Sequence, residues 1–158
     1  MISQKAKYAL RALLVLARAP AGTPVLISEI ATSQAIPKKF LEQILLDLRN
    51  RGIVVSRRGK LGGYSLLKHP SEVTFGQVLR LIDGPIAPLP CLSRTAYRRC
   101  SDCQSESNCE IRRVFTAVAE ATREVLDRTT IADAISEKRA PMPEIGFVEE
   151  LQVPAPAG

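Results

Sequence analysis

The sequence predicts a mostly α-helical chain with one small β-hairpin, and three observations predict it. Apolar residues recur at helical spacing in residues 3–19, 37–51 and 109–125. Two short apolar runs in IVVSRRGKLGGYSLL flank a loop of glycines and cations, the pattern of a hairpin. Capping and stop residues frame the periodic stretches: Ser3, Thr74 and Ser107 at starts, Gly52 and the DGP of residues 83–85 at ends. At 158 residues the chain can form one domain with a proper core, or a small domain plus an appended element.

Ser3 is expected to cap a first helix to about Ala19, with Ala6, Leu10, Leu13, Leu14 and Ala17 on one face; Pro20, Gly22 and Pro24 end it. LISEIATSQ suggests a short second helix, AIP a tight turn, and Pro37 the first position of the next helix. In PKKFLEQILLDLRNRG the buried stripe is Phe40, Leu41, Ile44, Leu45 and Leu48, with Gly52 as the stop. Two helices joined by a short turn, the second with a basic start, have the layout of a helix-turn-helix. The hairpin follows, anchored by Val54, Val55, Tyr64 and Leu66 and tipped with Arg57, Arg58 and Lys60. The whole is a winged helix-turn-helix.

Thr74 and Gln77 fit a capping box opening FGQVLRLID. The loop from Ile86 to Asn108 is long for a compact domain, and its cysteines favour a functional reading over disorder. Ser107 and Glu110 fit a second capping box, opening a long helix with Ile111, Val114, Phe115, Val118, Ala121 or Thr122, and Val125 along one side. Spacings alternating between three and four match the seam of a helix packed on a partner helix. TTIADAISEK reads as a last short helix, and the Pro-rich tail after Pro141 as mobile.

Charge is unevenly spread. Residues 1–80 hold 13 Lys and Arg against 4 Asp and Glu, a balance of +9, whereas residues 81–158 hold 9 against 12, a balance of −3. The basic half suits a nucleic-acid footprint. In the third helix the buried stripe leaves Lys38, Lys39, Glu42, Gln43 and Asp47 on other faces. In a major groove Gln43 can pair with adenine, Glu42 can accept from cytosine, and Lys38 and Lys39 can serve phosphate or guanine. Arg57, Arg58 and Lys60 suit phosphates or a narrow minor groove. The alternative is the solvated face of a plain helical bundle; the order of turn, helix and Arg-rich glycine loop favours DNA.

All four cysteines lie in CLSRTAYRRCSDCQSESNC, with eight, two and five residues between them. The N-terminus places Lys5, Lys7, Arg11 and Arg18 among its apolar residues, which suits neither a signal peptide nor a membrane span, so the cytoplasm is the expected compartment. Thiols stay reduced there, and a cluster of them binds metal more readily than it forms disulfides. Cys91, Cys100, Cys103 and Cys109 can present four thiolates to zinc or to an iron–sulfur cluster. Two isolated outer cysteines with loose spacing lean away from paired zinc knuckles, without deciding between the metals. His69 in KHPSE reads as a solvated loop residue, and without a phosphate loop or convergent carboxylates the chain shows no enzymatic constellation.

The run KFLEQILLDLRNRGIVVSRRGKLGGYSL, then VTFGQVLRLIDGP and the cysteines, resembles the IscR, NsrR and RirA family of bacterial winged-helix regulators over about residues 1–135. The resemblance implies a homodimeric transcription factor, in most relatives a repressor, on a palindromic double-stranded DNA operator. It also implies an iron–sulfur cluster whose loss or alteration changes DNA affinity, with 2Fe-2S and 4Fe-4S both open. Zinc or thiol oxidation is the alternative. By position Glu42 and Gln43 fall in the family's recognition helix, Arg58 and Gly59 in its wing, and the helix beginning at Cys109 at its dimerisation helix. The family's three-cysteine pattern fits Cys91, Cys103 and Cys109. Cys100 is extra, and the first helix offers Tyr8 near the place where some relatives recruit an acidic or other non-cysteine ligand from the partner subunit. The resemblance thus implies that Cys100 completes an all-cysteine site within one subunit. The expected organisation is a DNA-binding domain over 1–84, a cysteine loop over 85–108, a dimerisation region over 109–138 and a tail over 139–158.

Overall fold

A computed structural model of the chain describes residues 2–59 and 62–136. Lys60 of the expected wing and the expected tail lie outside the described residues, as does the end of the dimerisation region.

Helix α1 spans Gln4–Arg18, and the Ser3 hydroxyl accepts the Ala6 N–H at 3.0 Å, as its capping role requires. Ala6, Ala9, Leu10, Ala12, Leu13 and Leu16 are buried; Leu14 and Ala17 are half-buried at the margin of that stripe. Helix α2, Ile27–Gln34, closes on Ala35 in the left-handed conformation, φ 49°. The buried Ile36 then directs the chain into α3, Lys38–Asn50. Pro37 stands just ahead of α3 as its N-cap. Leu41, Ile44, Leu45 and Leu48 are fully buried, but Phe40 is 37% exposed: it lies at the rim, edge to face with Tyr8 at 5.8 Å.

Strands β1, Val54–Arg57, and β2, Gly63–Leu66, pair antiparallel with Val54 opposite Leu66 and Arg57 opposite Gly63. Alternation buries Val54 and turns Val55 outward, 42% exposed, so Val55 is not an anchor of the hairpin. A further pairing lies outside the hairpin. Val25 N–H donates to Tyr64 O at 2.8 Å and Tyr64 N–H to Val25 O at 2.9 Å, which fastens the wing to the entry of α2. Gly63, φ 146°, abuts the Val25 carbonyl, where any Cβ would collide with backbone.

Helix α4, Phe75–Asp83, starts at Thr74, whose hydroxyl accepts the Gln77 N–H at 3.1 Å. Helix α5 spans Glu110–Arg128, and α6 spans Ile131–Ile135 under a Thr130–Asp133 capping box. The expected capping box at Ser107 is not formed. The Ser107 hydroxyl meets Ser105 at 3.0 Å, and Cys109 caps α5 instead. At its far end α5 returns to the amino-terminal core. Phe75 N–H donates to Thr129 O at 3.0 Å, Ile131 N–H to Val73 O at 2.8 Å, and the Ile131 side chain is fully buried in the amino-terminal core, where α6 packs on α1. An Arg80–Asp127 ion pair also joins α4 to α5.

Candidate functional sites: a recognition surface and a four-cysteine cavity

The helix-turn-helix presents a polar surface opposite its buried stripe. Lys38, Lys39, Glu42 and Gln43 are all exposed along the first two turns of α3, and Arg57, Arg58 and Gly59 are exposed at the end of β1 and the wing turn. Helix and wing are joined within a few residues by Gly52, φ 68°, and by Arg49, whose guanidinium reaches the Ser56 hydroxyl at 3.4 Å. The start of α3 and the wing turn are therefore carried by one packed unit.

This polar surface is braced from behind. Lys5 of α1 donates to Asp47 Oδ2 at 2.8 Å, and Asp47 Oδ1 accepts Gln43 Nε2 at 3.1 Å. The Lys5 bond is the chief reason that the Asp47 carboxyl is held below its ordinary range. Arg11 reinforces the joint by donating to Gln34 O at 2.6 Å and lying 6.0 Å over the Tyr8 ring. Tyr8 is thus engaged by Phe40 and Arg11 within the α1–α3 unit. The Gln43–Asp47 spacing of four was visible in the sequence, but Lys5 lies 42 residues from its partner and gave no local signal.

The second site is the cysteine loop. All four cysteines are free thiols and line a single cavity of about 580 Å³, together with Leu89, Asp102, Ile111 and Arg112. Cys91 is buried in a 3-10 turn, Pro90–Leu92, which Pro90 starts with a fixed φ. Cys100 and Cys103 form a knuckle closed by Cys103 N–H donating to Cys100 O at 3.3 Å. Cys109 sits at the N-cap of α5, where its Sγ accepts the Arg112 N–H at 3.3 Å. Burial, then a hydrogen bond to the Cys91 thiol, raises the pKa of Cys100 above the ordinary thiol value.

Polar residues tie the loop together, and these were not anticipated. Tyr97 OH donates to Glu106, which also pairs with Arg112 of α5 at 3.4 Å. That carboxylate acceptor is the main reason the Tyr97 hydroxyl titrates above its ordinary value. Arg99 donates to the carbonyls of Cys103 and Gln104 at 2.9 and 3.2 Å. Recognising these residues from sequence would require the loop's path, which has no periodicity.

The donor set suits a thiophilic centre by its chemistry: four cysteines line one cavity, with a helix N-terminus behind one of them to favour negative charge. Among the described residues no three His, Cys, Asp or Glu side chains are already drawn together at a single ion. The thiols share a cavity rather than a closed ligand cage. His69 is committed elsewhere, as the cap of a 3-10 turn in which its ring bonds Ser71 and its N–H meets Glu72 at 2.9 Å.

Residues 2–137 match the family described as Rrf2, iron-dependent transcriptional regulator. An HTH-type transcriptional regulator of Rhodobacter capsulatus described as rrf2-like is 52% identical over 139 residues, spanning 86% of this chain and 93% of its own length. The structure of CymR, the global cysteine regulator of B. subtilis, superposes with a TM-score of 0.73 at 32% identity, covering 88% of this chain and 98% of that one. IscR of T. potens superposes with a TM-score of 0.68 at 28% identity, covering 89% and 93%.

Proposed function

The chain belongs to the Rrf2 family of transcriptional regulators, and from that premise we propose that it is a homodimeric regulator whose operator affinity is set by an iron–sulfur cluster held by Cys91, Cys100, Cys103 and Cys109. The observation that carries this reading is the single cavity shared by the four free thiols at the start of α5. When bound, such a cluster supplies a redox-active, iron-dependent centre open to attack by oxygen, peroxide or nitric oxide. The chain's own residues do the rest.

Four thiolates facing one centre would hold the Pro90 turn, the Cys100–Cys103 knuckle and the first turn of α5 in one arrangement, and Arg99 and Glu106 brace the segments between them. At its other end α5 is tied to the DNA-binding core through Arg80–Asp127 and the Thr74–Thr130 bridge. The state of the loop is thereby coupled to the placement of two recognition helices across a dimer. On DNA, Lys38, Lys39, Arg57, Arg58 and Lys60 would contact the backbone or groove edges, with Gly59 allowing close approach; Glu42 and Gln43 would read bases. The dimer is supported by α5, whose Ile111, Val114, Val118 and Val125 are between 48% and 63% exposed.

A second reading, a zinc site or a thiol switch without a cluster, is favoured by the Cys100–Cys103 knuckle and by the likeness to CymR, a cysteine regulator. Visible absorption together with iron, sulfide and zinc analysis of protein purified without oxygen separates the two. Coloured protein with stoichiometric iron and sulfide, whose spectrum changes on Cys100→Ala, supports the cluster. Colourless protein holding zinc, or none after reconstitution, overturns it.

A further inference from the structure

We infer that Asp47, anchored by Lys5, is a positioning residue for base recognition: it fixes which face of the Gln43 amide is turned to DNA. The inference rests on the reading of α3 as the recognition helix and adds two residues that need not touch a base.

A glutamine amide is ambiguous by itself, since one end donates and the other accepts, and a half-turn about its last torsion exchanges them. Here the exchange is opposed. Asp47 lies one turn after Gln43 on the same face, and its carboxylate only accepts. Lys5 occupies the other carboxylate oxygen at 2.8 Å and keeps the group charged. Turning the Gln43 oxygen toward that anion would set two acceptors against each other, so Nε2 faces Asp47 at 3.1 Å. What remains for a base is the Oε1 edge with the second Nε2 hydrogen, an acceptor beside a donor. In the major groove adenine offers the complement, an N6 donor beside the N7 acceptor; guanine offers two acceptors there and cannot satisfy Oε1.

The geometry also reduces the cost of one of the two acidic residues, Asp47 and Glu42, that this face of α3 carries. Asp47 is neutralised by Lys5 from a different helix, and its side chain is 30% exposed against 34% for Lys5. Repulsion of phosphate is thereby reduced while the local directing effect on Gln43 is kept.

The test uses the full chain, purified without oxygen, selecting binding sites from a pool of random duplexes. Gln43→Ala identifies the base pair that Gln43 reads, as the position where preference collapses. Asp47→Asn, nearly isosteric but able to face Gln43 with either end of its own amide, is expected to weaken the adenine preference at that position by about tenfold. Preferences elsewhere in the half-site should hold, and the melting temperature should fall by no more than one solvent-exposed ion pair contributes, which a general loss of structure would not allow. Lys5→Met should weaken the same position in part, and Lys5→Arg should restore it. Full adenine preference in Asp47→Asn alongside its loss in Gln43→Ala overturns the inference and leaves the regulator reading intact. No effect of Gln43→Ala at any position also overturns it. Failure of the unmutated chain to select any sequence removes the proposed DNA reading itself, a distinct outcome.

Discussion

The Sγ of Cys109 accepts the backbone N–H of Arg112 at 3.3 Å, so one thiol both caps α5 and lines the four-cysteine cavity. The two roles make different demands on the side chain. A cap needs a short acceptor, which a serine hydroxyl supplies at least as well as sulfur, whereas a soft metal centre needs the thiolate.

Cys109→Ser should therefore leave metal-free protein about as stable as before while losing bound metal, and Cys109→Ala should lose both. Removal of a cap costs about 1 kcal/mol. Urea unfolding of the two metal-free variants, set beside iron, sulfide and zinc analysis of protein as purified, reads the roles separately. Equal stability of the two variants would show that the sulfur contact carries no capping free energy.

Gly63 offers a second test, because its φ of 146° and its contact with the Val25 carbonyl leave no room for a methyl group. Gly63→Ala is expected to cost about 1–3 kcal/mol. The damage should fall on the Val25–Tyr64 pairing, seen as faster amide exchange at those two residues, and on duplex affinity through displacement of the wing. The α1–α3 core lies elsewhere and should keep its protection.

These sites also show what could be read along the chain. Elements with local signals were legible: α1 through Ser3 and its apolar stripe, α3 through Leu41, Ile44, Leu45 and Leu48, the hairpin through its glycines, and α4 through Thr74. The errors arose where two local rules competed. Ser107 obeys the capping-box spacing, yet Cys109 lies nearer the first free amides and takes the cap; Phe40 is apolar but falls at the rim of the stripe. Contacts between residues far apart in sequence were not legible. Lys5–Asp47, Val25–Tyr64 and Arg80–Asp127 each join segments whose proximity only the folded chain creates, and the short-range Tyr97–Glu106–Arg112 brace depends on the path of a loop without periodicity.

The Lys5–Asp47 pair predicts a pH dependence. Asp47 has a folded pKa below its ordinary value, chiefly through the Lys5 hydrogen bond and then through Gln43 and the charges of Lys5 and Arg51, against an opposing effect of burial. A carboxyl lowered on folding stabilises the protein fully above its unfolded pKa of about 3.9 and loses that contribution as pH falls through the folded value. Stability of the unmutated chain should thus decline more steeply below about pH 4 than that of Asp47→Asn, which has no such proton to take up. Parallel curves from thermal melts between neutral and acid pH would show that the pair is too well solvated to matter.

The last prediction concerns α5, which carries two stripes. Arg112, Thr116, Ala119, Arg123 and Leu126 turn inward, with Ala119 only 1% exposed, whereas Ile111, Val114, Val118 and Val125 turn out and stay 48–63% exposed. Val125 also lines an apolar groove of about 660 Å³ with Ile2, Leu79 and Ile86, so the outward stripe runs into a concave surface rather than ending in polar residues. Covering the part of each side chain still exposed gains about 1–1.5 kcal/mol, and four per subunit at a two-fold axis contribute on both sides. The chain should sediment at twice its 17.3 kDa. Val118→Asp places a charge at the middle of the stripe and should shift the protein to the monomer without unfolding it, because the inward stripe is untouched. Affinity for a full palindrome should then fall toward that for a half-site. A dimer that survives both Val118→Asp and Val114→Asp would place the subunit contact on another face of the molecule.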